Sequence, residues 1–294
     1  MNVYFAGMET CYTQGLRDFQ PTDNFFCTYY YRQKTDKTLE ELNITNHKGL
    51  ITIDSGAHSF FGFAGISCTS DSDGGSRQGE MPDPYAYFEN YVQWVKKYYD
   101  KISYFVELDL QDLLGQDVIN GWRQRWKDEG LYDKCITVHH SMNTWEELEA
   151  LIADSQSRYI GLEGLRDKKI RLPYMKILKY AYENKCRVHG FALTNQRIMQ
   201  RFPFYSVDSS SWTAVNRYGV IYKFSDGHMH QLKTTEKHFL EHHLNPELMS
   251  HKRDRATQMR KLALTAVEFR KLEAYTTKLW LSRGINWKKN LGEK

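Results

Sequence analysis

Residues 135–163 read CITVHHSMNTWEELEALIADSQSRYIGLE. The run CITVH, ending at His139, is short, apolar and β-branched, as a buried strand requires. NTWEELEALI then opens on Asn143 with Glu146 three residues on, a helix-start pattern related to the capping box. RYIGLE closes the unit as a second strand that ends on Glu163. Strand, helix and strand in under thirty residues make a parallel crossover unit, and the rest of the chain is read by asking how often it recurs.

It recurs along most of the 294 residues. Further strand candidates are NVYFAG near the start, LITID ending at Asp54, ISYFVELD ending at Asp109, RVHGFAL ending at Leu193 and FYSVD ending at Asp208. Val220–Phe224, VIYKF, offers an eighth. Amphipathic helices lie between them, marked by Phe88, Tyr91, Val92, Val95 and Tyr98, and by Val118, Ile119, Trp122 and Trp126. In RLPYMKILKYAYENK, Pro173 suits a first helical turn. Repeated strand–helix units imply a parallel sheet, either open and doubly wound or closed. Seven or eight units favour a closed (β/α)8 TIM barrel, an α/β fold, with residues 1–225 as the barrel.

Residues 64–84 break the rhythm with four Gly, four Ser and two Pro, and read as a long mobile loop on the side of the second strand in this count, at LITID. After Phe224 the chain reads as helical, with Met259, Leu262, Ala266, Phe269, Leu272 and Leu279 on one face. Residues 226–294 are expected as a basic, mostly helical extension packed on the barrel, removable without unfolding it.

Charge sharpens this division. The whole chain carries 40 Lys+Arg against 36 Asp+Glu, a formal +4. Residues 251–294 hold 12 of those cations and 4 of the acids, so the body is mildly acidic and the tail basic. The tail has two readings, a solvated helix face or a phosphate-backbone contact in which Arg253, Arg255, Arg260 and Lys261 are the candidates. A mean hydropathy of −0.65 and no apolar run of about 18 residues argue against a membrane span. No export signal is recognisable, and five scattered cysteines suit free thiols in a reducing compartment, so a cytoplasmic location is expected. No CxxC or CxCxxC supplies a zinc ribbon or an iron–sulfur cluster, and no GxGxxG follows a strand.

In a parallel barrel, side chains at the C-terminal strand ends converge on one pocket. Asp54, Asp109, Glu163 and Asp208 fall there, and clustered acids can share the work of nucleophile, acid/base and substrate acceptor. Each alone could be a helix cap. The histidines offer a competing metal reading through His139, His140 and His189, through His228 and His230 in a polar turn, or through His238 and His242; no metal is assigned. Trp212 follows the SVDSSS turn and either supports it or touches a substrate.

These residues carry a resemblance. DSGAHSF from Asp54, ELD ending at Asp109, IGLEGL from Ile160, and RVHGFALTN followed by PFYSVDSSSW are similar in order and spacing to motifs of the tRNA-guanine transglycosylase superfamily. They most resemble its short phage branch, the DNA-guanine transglycosylases. The resemblance covers about residues 45–215. It implies a pentosyltransferase without a cofactor that exchanges guanine in DNA for a free 7-deazaguanine base of the preQ0 type, in a phage-infected host's cytoplasm. Asp208 would be the nucleophile and Asp54 the general acid/base. Asp109 would read the base edge, and Gly164 would let it approach. His58 takes the place of the stacking Tyr, with Phe191 opposite. His139 or His140 stands in for the base-binding Gln, and Glu163 for a small residue. The family's zinc cysteines are missing, so the implied partner is DNA rather than tRNA. Two alternatives are a tRNA-guanine transglycosylase without zinc and a nucleic-acid-binding barrel without turnover.

Overall fold

The computed structural model describes residues 1–10, 19–63, 81–163, 173–233, 243–249 and 254–293. Eight parallel strands close into a barrel in sequence order: β1 (Asn2–Ala6), β2 (Asn24–Thr28), β3 (Ile51–Asp54), β4 (Tyr104–Val106), β5 (Cys135–His139), β6 (Tyr159–Leu162), β7 (Arg187–Gly190) and β8 (Ser206–Ser209). The ring shuts where β1 pairs with β8, Tyr4 against Asp208. The fold is therefore the (β/α)8 barrel expected from the repeated units.

Two strands differ from the sequence reading. The eighth member of the ring is Asn24–Thr28 and not Val220–Phe224. Phe25, Phe26 and Cys27 are all buried, as happens when a parallel strand is covered on both faces. Val220–Ser225 forms β9, which pairs antiparallel with β10 (His228–Lys233) outside the barrel. Only Ile221 of β9 is buried. Asp226 and Gly227 at the turn have φ of +52° and +78°, the two left-handed residues that a tight hairpin needs. Chain after Phe224 thus runs first into a strand, and His228 and His230 lie on it. The 225/226 boundary falls inside this hairpin.

Register decides which side chains see the barrel interior, because facing residues of paired strands point the same way. Tyr4 is level with Asn24, Phe26 with Thr52, Thr52 with Tyr104 and Val106 with Ile136. Val138 is level with Gly161, Gly161 with His189, His189 with Ser206, and Asp208 with Tyr4. The alternation closes on itself without a slip. Inward positions therefore include Asp54 on β3 and Asp208 on β8, and those continuing past β5, β6 and β7 are His140, Glu163 and Phe191.

Helices α1 (Arg32–Ile44), α2 (Ala57–Phe63), α3 (Pro84–Tyr98), α4 (Gln111–Leu114), α5 (Gln116–Asp128), α6 (Trp145–Asp154), α7 (Tyr174–Glu183), α8 (Gln196–Arg201) and α9 (Ala214–Tyr218) follow the strands. The apolar stripes read from sequence are their buried faces: Phe88, Tyr91, Val92, Val95 and Tyr98 on α3, and Ile119, Trp122 and Trp126 on α5. Phe88 stacks on Trp122 at 4.5 Å and meets the fully buried Trp126 edge-on, contacts worth about 0.5–1.5 kcal/mol each beyond the area they bury. The start of α6 lies one residue later than expected: Thr144 is the cap and forms the reciprocal box with Glu147. Asn143 instead accepts the His140 N–H at 2.8 Å. Pro173 directly precedes α7 instead of entering its first turn. Of the loop expected at 64–84, residues 64–80 lie outside the described residues; Asp83 caps α3.

The expected extension is part of the barrel wall. The helix Arg255–Ser282 buries Met259, Leu262, Ala263, Ala266, Phe269, Leu272 and Trp280. Arg270 pairs with Asp23 at 2.7 Å, and Trp280 donates to the Met199 carbonyl at 2.9 Å. The extension is therefore packed on the barrel, as expected, and contributes buried side chains to its core.

Candidate active site at the barrel mouth

Asp54 ends β3, beside Thr28 of β2. The chain turns away at once through Gly56, whose φ is +86° and whose N–H donates to Asp54 Oδ2 at 3.1 Å. A Cβ on Gly56 would stand 2.8 Å from Tyr30 Cβ and 2.9 Å from Tyr87 Oη, so only glycine allows this turn. Burial pushes the Asp54 carboxyl up to about 7, and the charges of Asp109 and Asp208 push the same way against the Thr28 hydroxyl and the Gly56 N–H. An acid with that proton affinity can give and take a proton near neutrality.

Asp208 sits on β8 and is buried. His189 Nε2 lies 3.1 Å from its Oδ1, and the Ala192 N–H donates to the same oxygen at 2.9 Å. Ala192 has a φ of +54°, a left-handed conformation that an alanine adopts only against strain. That turn, just after β7, aims its N–H at the carboxylate. The His189 ring lies flat on Phe26, centroids 5.2 Å apart and planes at 8°. Phe191 meets it edge-on and covers Gly161, where a Cβ would come within 2.4 Å of Phe191 Cε2. Among the described residues the glycine that admits a ring is thus Gly161; Gly164 lies outside them.

Opposite stands a second cluster. His140 Nε2 is 3.2 Å from Asp109 Oδ2, and its Nδ1 is 3.1 Å from Glu163 Oε2. Glu163 Oε1 accepts the Ser141 N–H at 2.8 Å. Burial opposes charge on His140, but the two carboxylates, Asp109 and Glu163, overcome it and lift the ring to about 9. Burial likewise raises Glu163, yet the His140 and Ser141 hydrogen bonds outweigh it and carry the carboxyl down to about 2. Glu163 therefore holds His140, with both oxygens engaged. Asp109 lies three residues beyond the end of β4, which stops at Val106, short of the expected strand; β7 likewise ends at Gly190 rather than Leu193.

Of the two histidines expected here, His139 turns away from the mouth. It faces outward into a cleft of about 340 Å³ between α5 and α6, with Asn120, Lys127 and Asp154 among its walls. Burial lowers its ring to about 4, helped by the charge of His140. The inward histidine is the next one. The register predicts this, since Ile136 and Val138 face in. His58 lies exposed on α2, four residues beyond Asp54. Trp212 is buried and donates to the Ala6 carbonyl at 2.9 Å, so it braces the β8 turn. Ser209 Oγ accepts the Ser211 N–H in that turn.

The basic candidates are less uniform than their charges. Arg260 pairs with Glu247 at 3.0 Å on the surface, Arg255 begins the long helix, and burial lowers Lys261. Arg253, His238 and His242 lie outside the described residues. Cys27, Cys135 and Cys186 are buried. Among the described residues no group of three or more His, Cys, Asp or Glu is arranged to hold a metal ion, and no helix is long and apolar enough to cross a membrane.

Fold and site together define a (β/α)8 barrel whose strand-end rim brings Asp109 and Asp208 within electrostatic reach of Asp54. Scanned against protein-family models and searched against curated proteins, the chain matches none.

Proposed function

We propose that the protein is a transglycosylase that exchanges guanine in DNA for a 7-deazaguanine base through a covalent aspartyl-glycosyl intermediate. The observation that carries the reading is that Asp54, Asp109 and Asp208 stand at one barrel mouth in different surroundings. Asp54 is raised to about 7 by its burial and by Asp109 and Asp208, while Asp208 is held by a backbone N–H and a histidine. Retaining glycoside chemistry uses two carboxyls at one site in this way, one as acid/base and one as nucleophile.

In this mechanism an Asp208 oxygen attacks the sugar C1′ and the bond from C1′ to the guanine nitrogen breaks. The leaving base takes its proton from Asp54. The incoming 7-deazaguanine then returns a proton to Asp54 as its nitrogen attacks C1′, and the bond from C1′ to Asp208 breaks. Two inversions leave the sugar configuration unchanged. Asp109, with one oxygen held by His140, offers the other as acceptor to the N–H edge of guanine, which adenine lacks. A ring entering the mouth would lie against Phe191, which itself covers Gly161. The base must be out of its stack to reach there, and Arg255, Arg260 and Lys261 are the candidates for phosphate contact.

The test is incubation of DNA and tRNA separately with a labelled 7-deazaguanine. Label is expected in DNA, and Asp208→Asn should abolish both exchange and a trapped protein–nucleic acid adduct. Label in tRNA alone would favour the tRNA enzyme. Binding without exchange would favour the non-catalytic barrel.

A further inference from the structure

Behind Asp208 the barrel interior is polar where a barrel core is ordinarily aliphatic. Tyr159, His189 and Ser206 are fully buried and touch in series. The Tyr159 hydroxyl contacts Ser206 Oγ, Ser206 Oγ lies 2.7 Å from His189 Nδ1, and His189 Nε2 lies 3.1 Å from Asp208 Oδ1. The first two are on β6 and β8, and the histidine is on β7 between them. The ring itself is clamped by Phe26 flat against it and by the edges of Tyr4 at 5.8 Å and Phe191 at 4.8 Å.

We infer that this chain is a positioning device for the nucleophile: it fixes the His189 proton on Nε2, ties up Asp208 Oδ1, and leaves Oδ2 as the oxygen that attacks. The inference rests on the reading of Asp208 as nucleophile and adds to it which oxygen reacts and what orients it. The proton directions follow from chemistry. A carboxylate oxygen only accepts, so a hydrogen bond at 3.1 Å requires the proton on Nε2. A neutral ring then has a bare Nδ1, which must receive the Ser206 hydroxyl proton, and Ser206 Oγ in turn receives the proton of Tyr159. Burial raises the Tyr159 phenol far above its ordinary value, which keeps it a donor. The opposite tautomer would set a nitrogen lone pair against the carboxylate. The Ala192 N–H falls on the same Oδ1, so both fixed donors lie on one oxygen. Donors on one oxygen fix the plane of the carboxylate without blunting the other.

The experiment compares wild type, Ser206→Ala, Ser206→Thr and Tyr159→Phe by two readouts. Nitrogen-15 spectra of labelled histidine report the His189 tautomer, and single-turnover mass spectrometry reports the rate of adduct formation on guanine-containing DNA alongside its Kd. The expectation is an Nε2-protonated ring in the wild type and a tautomer mixture in Ser206→Ala. Adduct formation in Ser206→Ala should slow by about threefold to tenfold, as loss of one neutral hydrogen bond behind the nucleophile implies. Its Kd should change less than about twofold, because the contact lies behind the nucleophile, and Ser206→Thr, which keeps the hydroxyl, should recover most of the rate. Tyr159→Phe should lie between. A wild-type ring protonated on Nδ1 alone overturns the inference whatever the activity. So does an unchanged adduct rate in Ser206→Ala while the wild type reacts. No adduct from the wild type on any nucleic acid would instead remove the nucleophile reading, and the inference with it, a failure the tautomer spectra distinguish from the other two.

Discussion

Removing one carboxylate from His140 should destabilise the protein in a pH-dependent way, and the size can be worked from the geometry. His140 is held at 3.2 Å by Asp109 and 3.1 Å by Glu163, with its ring lifted from 6.5 to about 9. That rise corresponds to about 3 kcal/mol of preference for the imidazolium in the fold, divided between two partners. Glu163→Gln keeps an acceptor for the Ser141 N–H but loses the charge, so it should cost on the order of 2 kcal/mol at pH 6. A basic group whose folded value lies above its unfolded one stabilises fully below about 6.5 and loses that contribution as pH rises through 9. At pH 9.5 the cost should therefore shrink to under about 1 kcal/mol. Glu163 itself is ionised at both pH values in folded and unfolded chain, so its own titration adds nothing to the difference. Urea unfolding of wild type and variant at the two pH values measures the cost, and a proton NMR titration of His140 checks its cause. Equal costs at pH 6 and pH 9.5, or a wild-type His140 titrating near 6.5, would refute the reasoning.

Three further outcomes are expected. Asp54 is an acid whose folded value of about 7 lies above its unfolded 3.8, so its ionisation weakens the fold as pH rises through that range; Asp54→Asn should raise stability by up to about 4 kcal/mol at pH 8 and hardly at all at pH 4, read from paired thermal melts. Gly161→Ala would drive a methyl into Phe191, 2.4 Å away, at about 1–3 kcal/mol, and most of that loss should vanish in a Phe191→Ala background. A chain ending at residue 254 should show no cooperative unfolding transition, because it lacks Phe269, Leu272 and Trp280 from the core; a native-like melt would show the long helix to be dispensable after all.

The barrel was legible because a parallel strand buried on both faces leaves a compact apolar run, and because amphipathic helices between such runs have nowhere else to pack. Asn24–Thr28 escaped notice for the same reason in reverse. Its apolar run merges with Tyr29–Tyr31, which form a helical turn, and periodicity cannot say where one stops. The hairpin carried its signal openly in Asp226-Gly227, a tight-turn pair, but the polar context favoured a loop. Asp54 and Asp208 were readable as acids ending apolar strands. The strand end alone left His139 and His140 as alternatives, because strand ends blur by a residue and one residue reverses the face. Counting parity from Ile136 settles it. Ser206 and Tyr159 were invisible because a polar residue inside an otherwise apolar strand looks like noise until three strands are set side by side.

Closing the ring through β1 and β8 has a temporal cost. The Ala6 carbonyl and the Trp212 indole that bonds it are 206 residues apart, and Asp23 waits 247 residues for Arg270. At about 5–20 residues per second, a ribosome releases β1 roughly 10–40 s before β8 can pair with it. Throughout that interval β1 is an unpaired sheet edge with Val3, Tyr4 and Phe5 uncovered, the kind of strand that recruits foreign partners. Contacts this distant in sequence also place the protein among slow folders. Yield during fast overexpression should therefore depend on synthesis rate and on chaperones that shelter the first strands, even where the finished barrel is stable.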